Sequence, residues 1–167
     1  MPRNPLAPDR EDHVAPSRND IDVLLPLAVG AATTCATILI HALALVTIVH
    51  FVRRERRLGY AGVSFWEDVS IVAGVTLLAL IAHMIEIAMW AVVLGLCAEF
   101  PDFATAFYAS AENYTTLGYG GTVMSATWRL LGPLEAADGM LMFGVSTGMI
   151  FAIIHRLIQV RLHDSDD

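Results

Sequence analysis

The chain has 167 residues and a net charge of −7, and only 16% of its residues are charged, against 56% that are apolar. A soluble domain of this length carries about a quarter charged residues. This composition excludes an ordinary soluble enzyme and a disordered chain. The negative net charge argues against nucleic acid as a partner.

Three long apolar segments predict three transmembrane helices, because about 20 apolar residues cross the hydrocarbon core of a bilayer. They occupy residues 21–52, 68–98 and 133–160. The remaining segments are a flexible polar N-terminal arm (1–20), a basic linker (53–67) and an acidic tail (161–167).

The arginines predict the orientation of the spans. They crowd the linker after the first span and the end of the third (Arg53, Arg54, Arg56, Arg57, Arg156, Arg161). Because such arginines favour the cytoplasmic side, we expect a multi-pass protein of the inner (plasma) membrane. Its N-terminus is then outside and its C-terminus cytoplasmic.

The segment between the second and third spans is too long for a turn and too apolar for a solvated loop. Pro101 and Asp102 mark the start of a helix. Residues 102–115 then predict a short helix that can enter a bilayer but not cross it. The glycines of the following segment, residues 116–121, do not continue a helix.

The string Thr116-Leu117-Gly118-Tyr119-Gly120 resembles TVGYG, the selectivity-filter signature of bacterial pore-loop potassium channels. The resemblance covers roughly residues 70–160. It implies an all-α membrane protein with three transmembrane helices, a re-entrant pore helix and a selectivity filter. Since one chain supplies one filter strand, it also implies a homotetramer. The implied pore domain, residues 68–160, comprises an outer helix 68–98, a pore helix 102–115, a filter 116–120 and an inner helix 133–160.

A dehydrated cation needs oxygen ligands, and successive backbone carbonyls point the same way only if backbone handedness alternates. Gly118 and Gly120 have the spacing that this alternation requires. The resemblance implies that the carbonyls of Thr116, Leu117, Gly118 and Tyr119, with the Thr116 hydroxyl, bind K⁺. It further implies that Tyr119 braces the filter. We expect K⁺ as the bound ion, no organic cofactor and no small-molecule substrate, and as partners only further copies of the chain and the lipid bilayer.

Three residues around the filter are expected to support it: Glu112, Thr115 and Gly121. Many relatives carry an aspartate directly after the filter, where this chain has Gly121. Glu112 then needs another donor, such as a Tyr or Asn side chain, or is protonated by burial. This departure leaves a weakly selective cation channel as one alternative. A non-conducting membrane interaction protein on a channel scaffold is another.

His83 and Glu86 lie three residues apart in the second span and therefore share a helical face. Ionisable residues inside a span are expensive and mark functional candidates. The pair fits a proton-sensing gate, a metal site completed by His41, or a hydrogen-bonded pair facing the neighbouring helix. We favour the last interpretation.

Two glycines of the last span, Gly144 and Gly148, also share a face. They fit either a gating hinge or close helix packing through small residues. Glu135 and Asp138 are expected near the start of this helix, where its dipole favours acids. The chain has no arginine-rich voltage-sensor span, no phosphate-binding glycine loop and no nucleophile–base pair, so we do not expect an enzyme.

Overall fold

The computed structural model describes residues 18–58, 64–119, 121 and 123–164. Within them the chain forms four helices and no strand: α1 (Arg18–Arg57), α2 (Phe65–Leu96), α3 (Phe103–Tyr114) and α4 (Leu131–Asp164). Most of the predicted N-terminal arm, the residue Gly120 and the end of the acidic tail lie outside the described residues.

Three of the helices are long and apolar enough to cross a membrane: Val23–Arg57, Phe65–Leu96 and Leu131–Leu162. The prediction of an all-α protein with three membrane-spanning helices is confirmed. α3 has 12 residues, which is about 18 Å of helix and too short to cross. It packs between α2 and α4.

The predicted boundaries of the linker, 53–67, need correction at both ends. α1 continues to Arg57 and α2 already begins at Phe65. The arginines are therefore helical, because arginine is a good helix former and its charge is favourable near a helix C-terminus. α4 also begins earlier than predicted, at Leu131, with Pro133 in its first turn, where proline is tolerated.

α1 buries several polar side chains and exposes many apolar ones. Its buried residues follow a helical stripe that includes Thr33, Thr37, His41 and Ile48, whereas the rest of the helix exposes mostly apolar side chains. A soluble helix would bury its apolar face. The polar stripe faces α2 and α4, and the apolar face is left for lipid.

Two apolar clusters hold the helices together. One contains Ile87, Trp90, Leu94, Tyr114, Leu131 and Met142, and the other contains Ile48, Ile71, Val75, Ala79 and Leu157. Along α2, the buried polar residues His83 and Glu86 lie between the two clusters. A polar layer therefore separates the two apolar parts of the core.

The N-terminus of α3 is capped by Asp102, whose carboxylate accepts hydrogen bonds from the Thr105 N–H at 2.9 Å and the Thr105 hydroxyl at 2.8 Å. The bond from the Thr105 N–H lowers the pKa of Asp102. This cap satisfies a donor that the first turn leaves open. It starts the short helix at the point that the sequence predicted.

The C-terminus of α3 lies against α4 at Gly139, which is buried. A Cβ atom on Gly139 would collide with the backbone carbonyl of Tyr114 and come within 3.0 Å of its ring. Only glycine permits this approach, which fixes the end of α3 against α4 directly after Asp138.

Gly139→Ala is therefore expected to destabilise the fold by at least about 1–3 kcal/mol, because the clash involves backbone that cannot rotate away. Gly95→Ala is the matched control, since a Cβ there meets nothing within 4 Å and alanine favours helix. Thermal unfolding in detergent compares the two. A Gly139→Ala protein as stable as the Gly95→Ala protein would contradict this packing.

Candidate ion-conducting site and its polar support

The chain leaves α3 through a left-handed C-cap. The Thr116 N–H donates to the Asn113 carbonyl and the Leu117 N–H to the Glu112 carbonyl, both at 2.9 Å. These two bonds form the Schellman pattern, which places the residue after the cap in the left-handed region. That residue is Thr116, with φ +58°, where glycine is usual.

The next residues alternate in backbone handedness. Thr116 and Gly118 both have φ +58°, whereas Leu117 and Tyr119 do not have positive φ. Gly118 thus has the conformation expected of it from the sequence. Gly120 lies outside the described residues.

The 116–119 segment is exposed in the single chain. Leu117 is 53% and Tyr119 77% exposed, and Thr116 and Gly118 are exposed as well. Large apolar and aromatic side chains are left open here at the end of a well-packed short helix. A surface of this kind is typical of an interface with another chain.

The residues expected to support the filter differ in their surroundings. Glu112 is buried, and Tyr108 lies one turn before it on the same helix. The negative charge of Glu112 raises the pKa of Tyr108. The Thr115 hydroxyl donates back to the Ala111 carbonyl at 2.6 Å. Gly121 lies in open space, where an added Cβ would meet nothing within 4 Å.

Behind α3, the fully buried Glu135 of α4 accepts two hydrogen bonds. The Ser110 hydroxyl donates to it at 2.5 Å and the Asn113 amide at 3.1 Å. Both donors belong to α3, so this carboxylate ties the short helix to α4. Because α4 begins at Leu131, Glu135 lies in the second turn of that helix.

Asp138, one turn further along α4, joins three helices. Its Oδ2 accepts hydrogen bonds from the Thr37 hydroxyl of α1 at 2.7 Å and from the Trp90 indole of α2 at 2.8 Å. Asp138 is buried. It is therefore part of the protein interior, and its partners hold α1 and α2 against α4.

His83 and Glu86 are brought together with His41, the third residue that the sequence associated with them. His41 Nδ1 lies 2.8 Å from Glu86 Oε1, and His83 Nδ1 lies 3.4 Å from Glu86 Oε2. The Tyr114 hydroxyl donates to Glu86 Oε2 and lies 3.1 Å from His83 Nδ1. The pair thus faces neighbouring helices through hydrogen bonds, and it reaches the residue that ends α3.

Sequence reasoning missed most of the donors in this polar layer: Thr37, Trp90, Ser110, Asn113, Tyr114 and Ser146. One signal was available, since Thr37 and His41 are four residues apart, as are Glu86 and Trp90. Each pair therefore lies on one helical face, and each supplies one contact to Asp138 and one to the cluster around Glu86.

Gly144 and Gly148 lie on the exposed face of α4, where a Cβ meets nothing within 4 Å. Ser146, between them, points the other way and is buried. Neither glycine packs against another described helix of its own chain. Both interpretations of these glycines, a gating hinge and close helix packing, therefore concern a face of α4 that is exposed in the single chain.

Comparison with known protein families gives one match over this region: residues 76–156 match the family model described as "Ion channel". This part of the chain is therefore similar to ion channels. The match includes most of α2, all of α3, the 116–119 segment and most of α4. Searches of curated proteins and of solved structures gave no match.

The family match and the long apolar helices support two of the predictions, a membrane protein and an ion channel. Its three long apolar helices make the chain a multi-pass membrane protein, and the family match points to an ion channel. α1 lies outside the matched residues, yet its polar stripe contacts residues inside them.

Thr37→Val tests the polar layer, because it removes the hydroxyl that donates to Asp138. Buried hydrogen bonds in membrane proteins contribute about 0.6 kcal/mol on average and up to about 1.7, so we expect a loss of stability in that range. Thr47→Val is the matched control on the same helix, because the exposed Thr47 hydroxyl bonds only the Leu43 carbonyl of its own turn. Equal melting temperatures for the two variants in detergent would contradict the assignment.

Proposed function

We propose that the chain is a potassium-selective channel that conducts K⁺ passively. Four copies would surround one axis, each contributing residues 116–120 as one filter strand. The carbonyls of Thr116, Leu117, Gly118 and Tyr119, with the Thr116 hydroxyl, would replace the hydration shell of K⁺. No protein charge takes part in this binding, because the ligands are neutral oxygens.

The alternating backbone handedness of residues 116–119 is the observation that carries the proposal, and Thr116 is the costly member of that segment. A left-handed residue other than glycine costs about 1–2 kcal/mol, and glycine is the usual residue at this cap position. Thr116 nevertheless has φ +58°. Such strain is typical of functional sites, and a threonine here supplies both a carbonyl and a hydroxyl to an ion.

The helix before the filter adds an electrostatic contribution. The C-terminal end of a helix carries about half a negative charge from its unpaired carbonyls. α3 ends at Tyr114, immediately before the proposed filter. Four such helix ends directed at one axis would favour a cation at the inner end of the filter.

The exposed surfaces support assembly of several chains. Tyr119 can brace the filter only against a neighbouring subunit, since it is 77% exposed in its own chain. The face of α4 that carries Gly144 and Gly148 is also open. In a tetramer this face would line the cavity or pack against the next subunit, and either arrangement suits glycine.

We further propose that the protein lies in the inner (plasma) membrane with its N-terminus outside and its C-terminus in the cytoplasm. Arginines support this orientation, since Arg53, Arg54, Arg56 and Arg57 end α1 and Arg161 pairs with Asp68 at 2.5 Å where α4 meets the start of α2. The filter is then at the outer side.

A weakly selective cation channel is the second candidate, and Gly121 favours it. An acid after the filter would contribute negative charge at the outer mouth and a partner for Glu112. Gly121 provides neither. Selectivity would then rest on the filter carbonyls alone.

Flux through the purified protein in liposomes tests the function. With a K⁺ gradient we expect K⁺ flux and a reversal potential set by K⁺ over Na⁺. Gly118→Ala should abolish the flux, because alanine is strained at φ +58°. Leu117→Val is the control, since it changes a side chain but keeps the carbonyl, and it should conduct.

Equal permeability to K⁺ and Na⁺ would support the second candidate. Absence of flux at every voltage and pH tested would favour a non-conducting interaction protein on a channel scaffold. Native mass measurement in detergent gives the subunit number, and any number other than four contradicts the proposed filter geometry.

Gly121→Asp is expected to increase single-channel K⁺ conductance or change inactivation. The new carboxylate has room, and four of them would concentrate cations at the outer mouth. Single-channel recordings in planar bilayers compare it with Gly121→Asn, which has similar size without charge. Currents identical to those of the parent in both variants would contradict the role assigned to this position.

A further inference from the structure

The proposed conduction path uses none of the ionisable residues buried between α1 and α2. His41, His83 and Glu86 are at most 4% exposed. One nitrogen or oxygen atom from each lies within 4.8 Å of those of the other two. They come from two different helices, so the cluster exists only when α1 is docked.

The donor atoms converge from one side. Both Nδ1 atoms approach the Glu86 carboxylate, His41 at 2.8 Å and His83 at 3.4 Å. The ligands of a tetrahedral zinc ion, each about 2.0–2.2 Å from the metal, are a little over 3 Å apart. The separation of His83 from Glu86 fits that value, whereas His41 and Glu86 would have to move apart by about half an ångström to share an ion.

The opposite sides of both imidazole rings share one partner. The Ser146 hydroxyl oxygen lies 3.1 Å from His41 Nε2 and 3.1 Å from His83 Nε2. Histidines that bind metal usually donate their second N–H to an acceptor that fixes the ring. A hydroxyl oxygen has two lone pairs, so Ser146 can accept from both rings at once. That tautomer directs both Nδ1 lone pairs towards Glu86.

We propose that His41, His83 and Glu86 bind one divalent transition-metal ion, and that this ion is Zn²⁺. Two histidines and one glutamate form a known zinc ligand set. The Tyr114 hydroxyl, 3.1 Å from His83 Nδ1, borders the fourth position. The proposal is independent of K⁺ selectivity, because it concerns the support of the pore and not its conduction path.

The charges around the site suit a divalent ion. Glu86 supplies one negative charge. Asp138 supplies a second, because its partners Thr37 and Trp90 lie one helical turn from His41 and Glu86. Asp138 Oδ1 is buried and accepts no hydrogen bond within the described residues. One Zn²⁺ would neutralise both carboxylates, whereas isolated charges inside a membrane are expensive.

The competing arrangement is a metal-free ring of hydrogen bonds. With Glu86 ionised and both neutral histidines donating from Nδ1 to it, both Nε2 atoms would be acceptors facing Ser146, whose single hydroxyl hydrogen satisfies only one of them. One further proton, carried by either imidazole, lets Ser146 accept from one histidine and donate to the other while both Nδ1 atoms still donate towards Glu86. A proton or a metal ion can therefore complete the cluster, and experiment distinguishes the two.

Metal analysis of the full-length chain makes the first test. The protein is purified through an affinity tag that lacks histidine, and its zinc is counted by mass spectrometry. We expect about one Zn²⁺ per chain in the parent, loss of zinc in His41→Ala, and no loss in His50→Ala. His50 is the matched control, because it lies exposed on the same helix and, within the described residues, hydrogen-bonds the Val46 carbonyl of its own helix.

Ser146→Ala is expected to weaken zinc binding by about 10- to 100-fold, as removal of an orienting partner does, while leaving all three ligands present. Chelator treatment should lower the melting temperature of the parent and leave that of His41→Ala unchanged. These two readouts separate metal binding from a purely structural effect of the substitutions.

Co²⁺ added to the chelated parent protein gives a test that needs no variant. Co²⁺ in a tetrahedral site with nitrogen and oxygen ligands should absorb strongly in the visible range. Added Zn²⁺ should displace the Co²⁺ and abolish this absorption. The proposal is overturned if the parent protein carries no zinc and gives no such spectrum with Co²⁺. The cluster is then a metal-free ring of hydrogen bonds that holds an additional proton.

Discussion

The hydrocarbon core of a membrane contains no water, so each buried polar group must find its partner within the protein. Three acids of this chain, Glu86, Glu135 and Asp138, are buried in helices long enough to span. Each accepts hydrogen bonds from a helix other than its own. The donors to Glu86 and Glu135 belong to α3, and those to Asp138 belong to α1 and α2. Because a buried carboxyl group that loses its hydrogen-bond partners is costly, these contacts determine where the four helices lie relative to one another.

This constraint positions the short helix in particular. α3 buries a small apolar surface, yet two acids bind its polar side chains and its last residue lies against Gly139. Its C-terminus is thereby fixed, and the left-handed cap at Thr116 then sets the direction in which the chain continues. The proposed filter depends on this sequence of contacts, since carbonyls can replace a hydration shell only if the backbone that carries them is held in place.

The sequence was sufficient for the spans, for the short helix and its start at Asp102, and for Gly118 in the left-handed region, because each depends on local pattern. It was insufficient for the polar layer. A span containing Trp90 or Ser146 looks like any other apolar segment, and the partners of Asp138 lie 101 and 48 residues away in the chain. Such pairings depend on how the helices are rotated about their axes, which apolar spans with little amphipathic character do not reveal.

The role of α1 follows from the same polar layer. The ion channel match begins at residue 76, within α2, so that α1 looks like an addition to a two-span pore. Its buried face nevertheless supplies Thr37 to Asp138 and His41 to Glu86. Without α1 both acids would keep partners from α2 or α3 but would face lipid on one side, where an exposed charge is strongly disfavoured. In this chain the peripheral helix therefore completes the interior formed by α2, α3 and α4, and the contacts that hold the end of α3 in place extend to it through Glu86.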